Sequence, residues 1–161
     1  MKNLSLIAVL AFFASLAILG QASCTQNGPD AAARATIDSL RNVINDLRPG
    51  LGEFMIQMKY HHDRLGEAIA AKDYERAAYE VGEMQETGES IVKLQITNDH
   101  LKGPFPVYYE KYLKTPLATL GDAAGKKDDA SLHINFITLT NNCNSCHQEN
   151  NMAFMKIQIA P

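Results

Sequence analysis

From residue 30 onward, apolar residues recur every three to four positions, and no stretch alternates apolar and polar residues between turn signals. That spacing predicts helices rather than strands. Asp30 is placed to cap a first helix reaching Leu47, with Ala31, Ala35, Ile37, Leu40, Ile44 and Leu47 as its apolar positions, before Arg48-Pro49-Gly50 interrupts it. A second helix is expected from Pro49 or Leu51 to about Ala71, with Leu51, Met55, Met58, His62, Leu65 and Ile69 on one stripe that must face something buried.

Asp73 then caps a third helix reaching about Gln95, with Tyr74, Ala77, Ala78, Val81, Met84, Gly88, Ile91 and Val92 facing inward. Residues 97–106 hold one Gly and two Pro and read as a long loop. A fourth helical segment follows from Val107 to about Ala124, bending or restarting at Thr115-Pro116. After a turn at residues 125–128, a last helix runs from about Asp129 past His147, with Leu132, Phe136, Leu139, Cys143 and Cys146/His147 along one face. The expectation is an all-α fold: an antiparallel four-helix bundle, an architecture that places cofactors between facing helices.

The first residues change the picture of where the chain works. A basic Lys2, an uncharged stretch from Leu4 to Leu19 and small residues at Gly20, Ala22 and Ser23 have the form of a secretory signal peptide. Its apolar run, about 16 residues at roughly 1.5 Å each, falls short of a hydrocarbon core of about 30 Å. Residues 1–23 are therefore expected to be a leader, 24–30 a linker and 31–161 a helical domain of the bacterial periplasm. Gly20-Gln21-Ala22 suits ordinary cleavage, whereas Ala22-Ser23-Cys24 resembles a lipoprotein box that would leave a lipid anchor on Cys24. Loss of Lys2 with the leader moves the formal charge from −3 to −4. No basic cluster is present, which argues against a nucleic-acid partner.

The chemistry lies at Cys143-Asn144-Ser145-Cys146-His147, a C-x-x-C-H sequence and the attachment signature of c-type haem. Two thiols three positions apart can each add to one haem vinyl group. The adjoining His147 then lies under the iron as the proximal ligand, a role suited to neutral imidazole. Three other readings compete. A thioredoxin-type redox pair expects a strand–helix context, a zinc site needs four ligands with only His133 as an obvious fourth, and a plain structural disulfide would leave His147 incidental. A single motif implies a single covalent haem, haem c. No Ser-His-Asp set, phosphate loop or carboxylate pair accompanies it, so an enzyme is not expected.

A single C-x-x-C-H near the C-terminus, on the last helix of a bundle, resembles the cytochrome c-prime family and its low-spin relatives. The resemblance covers roughly residues 48–161, and residues 30–47 have no counterpart in it. In that family the first bundle helix supplies the distal haem face, at a position holding Leu or Met. The match implies Met55 there, with Leu65-Gly66 and Lys72 near similar residues. The chain also resembles small secreted bacterial proteins carrying segments like Leu51-Gly52-Glu53-Phe54-Met55, His62-Asp63-Arg64-Leu65 and Ala78-Tyr79-Glu80. Some of these end in Cys-Asn-x-Cys-His followed by Phe and Pro, as Phe154 and Pro161 do here.

The sixth iron position decides what such a group does. A Met or His ligand suits electron transfer, and an apolar residue leaves room for NO or CO. Met55, Met58 and His62 share the stripe opposite the expected haem, ranked Met55, then His62, then Met58; a methionine on such a stripe is otherwise core filling. His61, about 100° around the helix from His62, is expected outside, and His100 in the loop and His133 far along the last helix are not expected at the site. Met152, Phe154, Met155 and Ile157 are read as packing around the haem edge, and Tyr108, Tyr109 and Tyr112 as core aromatics. The function expected is electron transfer by an exported monohaem c-type cytochrome, with a redox protein as partner. Diatomic gas binding at five-coordinate iron is the alternative, and a second copy of the chain is a further partner to test.

Overall fold

A computed structural model describes residues 30–159; the leader, Cys24, nearly all of the linker and Pro161 lie outside the described residues. Within these bounds the protein is all-helical and has no strand. No helix among the described residues is long and apolar enough to cross a membrane. By its contacts the chain divides after Arg48, so within the stretch expected as one domain, residues 31–48 and residues 49–159 are described separately.

Helix α1 spans Ala31–Leu47, and its N-cap Asp30 accepts from the Ala33 N–H at 2.6 Å. This satisfies one of the unpaired donors of the first turn. None of its residues is buried.

In the second unit, α2 covers Leu51–Ala70 and α3 covers Tyr74–Lys93. A short α4, Phe105–Tyr108, runs into a π-helical turn at Tyr109–Lys114. Helices α5, Thr115–Gly125, and α6, Asp129–Glu149, complete the unit. Asp73 and Asp128 cap α3 and α6 by accepting from Arg76 N and Ser131 N, each at 3.1 Å. Helices α2, α3, α5 and α6 close a ring of contacts, each packing on the next and α6 returning to α2. Their shared core includes Leu65, Met84, Ile91, Leu117, Leu120, Leu132 and Leu139, all essentially inaccessible.

Four helices end alike, each with a non-glycine residue in the left-handed region: Lys72, Gln95, Lys127 and Asn151. In each the following N–H reaches five residues back, as from Asp73 to the Ala68 carbonyl and from Met152 to the His147 carbonyl. This is the Schellman arrangement, which satisfies carbonyls that the helix leaves open and turns the chain back on itself.

The irregular stretch expected at Thr115-Pro116 is the π turn immediately before it. Pro116 has no N–H to offer the Tyr112 carbonyl four residues back, and that carbonyl instead accepts from Asn142 Nδ2 of α6 at 3.0 Å. The turn also brings Tyr109 over Gly88 of α3, where an added Cβ would lie 2.5 Å from Tyr109 Cε2; only glycine allows that approach. Two details differ from expectation. Ala78 faces solvent, while Glu80 two residues on is buried. The loop ends at Pro104, because Phe105 and Pro106 already belong to α4, whose first turn needs no proline N–H.

Candidate functional site

The last two turns of α6 carry Cys143, Cys146 and His147, spaced i, i+3 and i+4, so the three side chains share one face. The turns before them bury Leu132, Phe136, Leu139 and Thr140, and Cys143 packs against the same core. The three motif side chains border a cleft of about 630 Å³. Facing them from α2 are Met55, Met58 and His62, so every residue expected at the site meets in one place. Met84 of α3, Tyr108 of α4, Tyr112 and Leu113 of the π turn, and Met152, Met155 and Ile157 of the C-terminal tail complete much of the wall. The sequence holds six methionines, and all except Met1 line this cleft.

Neither motif cysteine is in a disulfide. Burial, and secondarily the neighbouring Cys146, pushes the Cys143 thiol up to about 12. Burial, with Glu149 adding, pushes the Cys146 thiol up to about 11. A dithiol exchange pair needs the opposite, a lowered pKa that supplies thiolate at neutral pH.

His147 is half-buried, and its Nδ1 donates to the Met155 carbonyl at 2.5 Å. A carbonyl can only accept, so a proton sits on Nδ1, and the ring nitrogen left to face a metal is Nε2. Metal-binding histidines usually show this pattern, the second ring nitrogen being held by a backbone or carboxylate acceptor.

His62 is buried within the molecule, 1% exposed, and stacks on Phe136 with ring centres 4.7 Å apart. Its Nε2 lies 2.8 Å from Thr140 Oγ1, and the Thr140 hydroxyl donates to the Phe136 carbonyl at 2.9 Å. The hydroxyl proton is thereby committed, so His62 Nε2 is the donor and Thr140 the acceptor. Desolvation by burial lowers the His62 pKa against the opposing pull of Asp63. With Nε2 on Thr140 and Nδ1 lying 3.4 Å from Asp63 Oδ1, the ring bolts α2 to α6. Met58 is buried and Met55 half-buried against the core.

Of the other three histidines, His61 and His100 differ from expectation and His133 does not. His61 is not outside: its side chain is largely covered, and Nδ1 pairs with buried Glu80 Oε2 at 2.7 Å, joining α2 to α3 away from the cleft wall. Its angular offset from His62 was legible, but the carboxylate waiting on α3 was not. His100, expected to be uninvolved, lines the cleft from the loop, whereas His133 is exposed beside Asp129. Among the described residues no three His, Cys, Asp or Glu side chains gather as a metal cluster would require.

The sequence reading missed Met84, His100 and a polar knot at the π turn. There Tyr112 donates to the Glu149 carboxylate, which also pairs with Lys111 Nζ at 2.7 Å. The Lys111 hydrogen bond, with that of Tyr112, holds Glu149 below the usual carboxylate range. Buried Asn150 secures the end of α6: its Nδ2 donates to the Cys146 carbonyl at 2.9 Å, and its Oδ1 accepts from the Lys102 N–H at 2.8 Å. The sequence matches no family model, and no curated protein and no solved structure matches it.

Proposed function

We propose that the protein is an exported c-type cytochrome with one haem joined to Cys143 and Cys146, His147 as proximal ligand, and electron transfer as its work. The observation that carries this reading is the state of His147. Its Nδ1 donates to a backbone carbonyl, so Nε2 is the nitrogen left to hold a metal, and it shares one helix face and one cleft with two unpaired thiols. The residues fit the group. A cleft of about 630 Å³ lies within the range of roughly 300–1,000 Å³ usual for small-molecule and cofactor sites, and its walls are rich in thioether and aliphatic side chains. The competing readings lose support, because the thiols are held protonated and His133 stands away from the motif.

Haem, once bound, supplies one-electron iron chemistry whose potential depends on axial ligand and burial. The chain's own residues hold it, exclude water and set the distal side. On that side Met55 is the first choice. Of the His62 ring nitrogens, Nε2 is spent on Thr140 and Nδ1 lies against Asp63, and Met58 is buried in the core. In this reading the ring of α2, α3, α5 and α6 is an antiparallel four-helix bundle of the cytochrome c-prime type. Residues 1–23 are the leader, Cys24 is a site for a lipid anchor, and a periplasmic redox protein is the partner.

A second reading rests on one observation: Met55 packs against the hydrophobic core. If it stays there, the iron keeps a vacant position and the protein binds NO or CO. The test is to produce the full chain in a host with haem-attachment machinery and record its mass and spectrum. A mass increase of one haem with a methionine-type ferric spectrum supports electron transfer, and a high-spin spectrum that changes with CO supports gas binding. A colourless product at the apoprotein mass overturns both.

A further inference from the structure

Haem attachment by a C-x-x-C-H sequence places no chemical demand on the two residues between the cysteines. Here they differ sharply in what they do. Ser145 is exposed, and its hydroxyl is satisfied by the Asn141 carbonyl of its own helix. Asn144 is half-buried and spends its whole amide on the tail: Nδ2 donates to the Ile157 carbonyl at 2.9 Å, and Oδ1 accepts from the Ile157 N–H at 2.8 Å. A planar carboxamide offers a donor and an acceptor side by side, so it can pair with both polar groups of one residue. Asp lacks the donor and Ala lacks both.

The tail reaches Asn144 because α6 ends in the left-handed Asn151 (φ 60°), with Met152 N–H bonded to the His147 carbonyl at 2.7 Å. Residues 152–157 are therefore fastened at two points, His147 and Asn144. Midway between them lies Met155, whose carbonyl accepts the His147 Nδ1 proton. Little burial holds this strap: Phe154 is 83% exposed and Met155 is 43% exposed.

We infer that Asn144 is a positioning residue, clamping the C-terminal tail across the motif so that the Met155 carbonyl fixes the tautomer and orientation of His147. The clamp itself is independent of haem, and its effect on iron rests on the reading proposed above. A carbonyl taking the Nδ1 proton makes the imidazole a stronger donor at Nε2, which favours Fe(III), so releasing the strap raises the reduction potential.

The test compares Asn144→Ala, Asn144→Asp and Ser145→Ala in the purified full chain. Two hydrogen bonds are lost in Asn144→Ala, and protection of the Ile157 amide against hydrogen exchange is expected to fall about 10- to 100-fold. Nitrogen NMR should show His147 losing its single Nδ1-protonated form. In the haem-loaded protein the Fe(II)/Fe(III) ratio at fixed applied potential should rise, by about tenfold at most. Asn144→Asp, which keeps the acceptor, should fall between, and Ser145→Ala should match the parent. Deleting residues 157–161 removes the clamp's partner and should reproduce Asn144→Ala, which covers the case of a substitution that disturbs folding of the motif helix.

Unchanged Ile157 protection in Asn144→Ala would overturn the clamp. A released tail with His147 tautomer and potential unmoved would overturn its positioning role. A colourless protein that still shows the exchange and tautomer effects would sink the haem reading and leave the clamp standing.

Discussion

Helices α1 and α2 carry the same kind of apolar periodicity and meet opposite fates. In α1, Ile37, Leu40, Val43, Ile44 and Leu47 are all exposed, Leu47 to 78%. In α2, Leu51, Phe54, Met58, His62, Leu65 and Ile69 are buried. Arg48-Pro49-Gly50 separates them. Spacing gives a helix a face, while coverage depends on what the rest of the chain brings to it, because burial rather than propensity stabilises most helices. In α2 the covered Leu51, Met58 and His62 line the cleft.

The largest expected effect concerns chemistry. Cys143→Ser with Cys146→Ser should abolish covalent haem entirely, whereas deleting residues 31–47 should leave it intact, as mass spectrometry of the purified chains will read. Loss of attachment on deleting α1 would break the comparison. Next comes the core. Leu65→Ala, at a site with no exposure, should cost about 2–5 kcal/mol in denaturant unfolding.

Gly88→Ala should follow at about 1–3 kcal/mol, because its Cβ would sit 2.5 Å from Cε2 and 2.9 Å from Cδ2 of the Tyr109 ring. If calorimetry found the variant as stable as the parent, the ring must have room to move that the packing does not suggest.

A smaller effect is tied to pH. Burial depresses the His62 pKa in the folded state, so the unfolded chain takes up this proton first. Its contribution to stability is complete above the unfolded value near 6.5 and is lost as pH falls from there toward the lower folded value. The slope from this one proton cannot exceed about 1.4 kcal/mol per pH unit. His62→Gln should flatten the dependence of the urea midpoint on pH between 7 and 5 (roughly the titration range of an unperturbed His). Removing α1, which contains no histidine, should leave that slope alone. The smallest effect is expected for Leu40→Ala in α1, within about 0.5 kcal/mol. A cost approaching that of Leu65→Ala would mean that the α1 face is covered in solution.

Much of this was legible in the sequence. The helix starts at Asp30 and Asp73 rest on local bonds between a carboxylate and an N–H three residues on, and Asp128, read only as the end of a turn, caps α6 in the same way. The break before Pro116 is equally local, since a missing N–H acts four residues back. The motif triplet on one face follows from helical pitch alone, and so does the facing stripe of Met55, Met58 and His62. The misread residues have a common origin. His61 was placed by its angle on α2, but its position depends on Glu80 from another helix. His100 and Met84 reach the cleft only because a loop and a third helix arrive there.

The sequence alone therefore determined what is governed by contacts within about a turn of helix: segment ends, faces and the grouping of two thiols with one imidazole. Tertiary structure decided which faces are covered, which histidine nitrogen is spent on Thr140 and which is held by Met155. Those outcomes turn on partners 78 and 8 residues apart. The physical reason is that a hydrogen bond or a buried contact takes its value from the atom on the other side. Spacing along one helix cannot say which atom that will be.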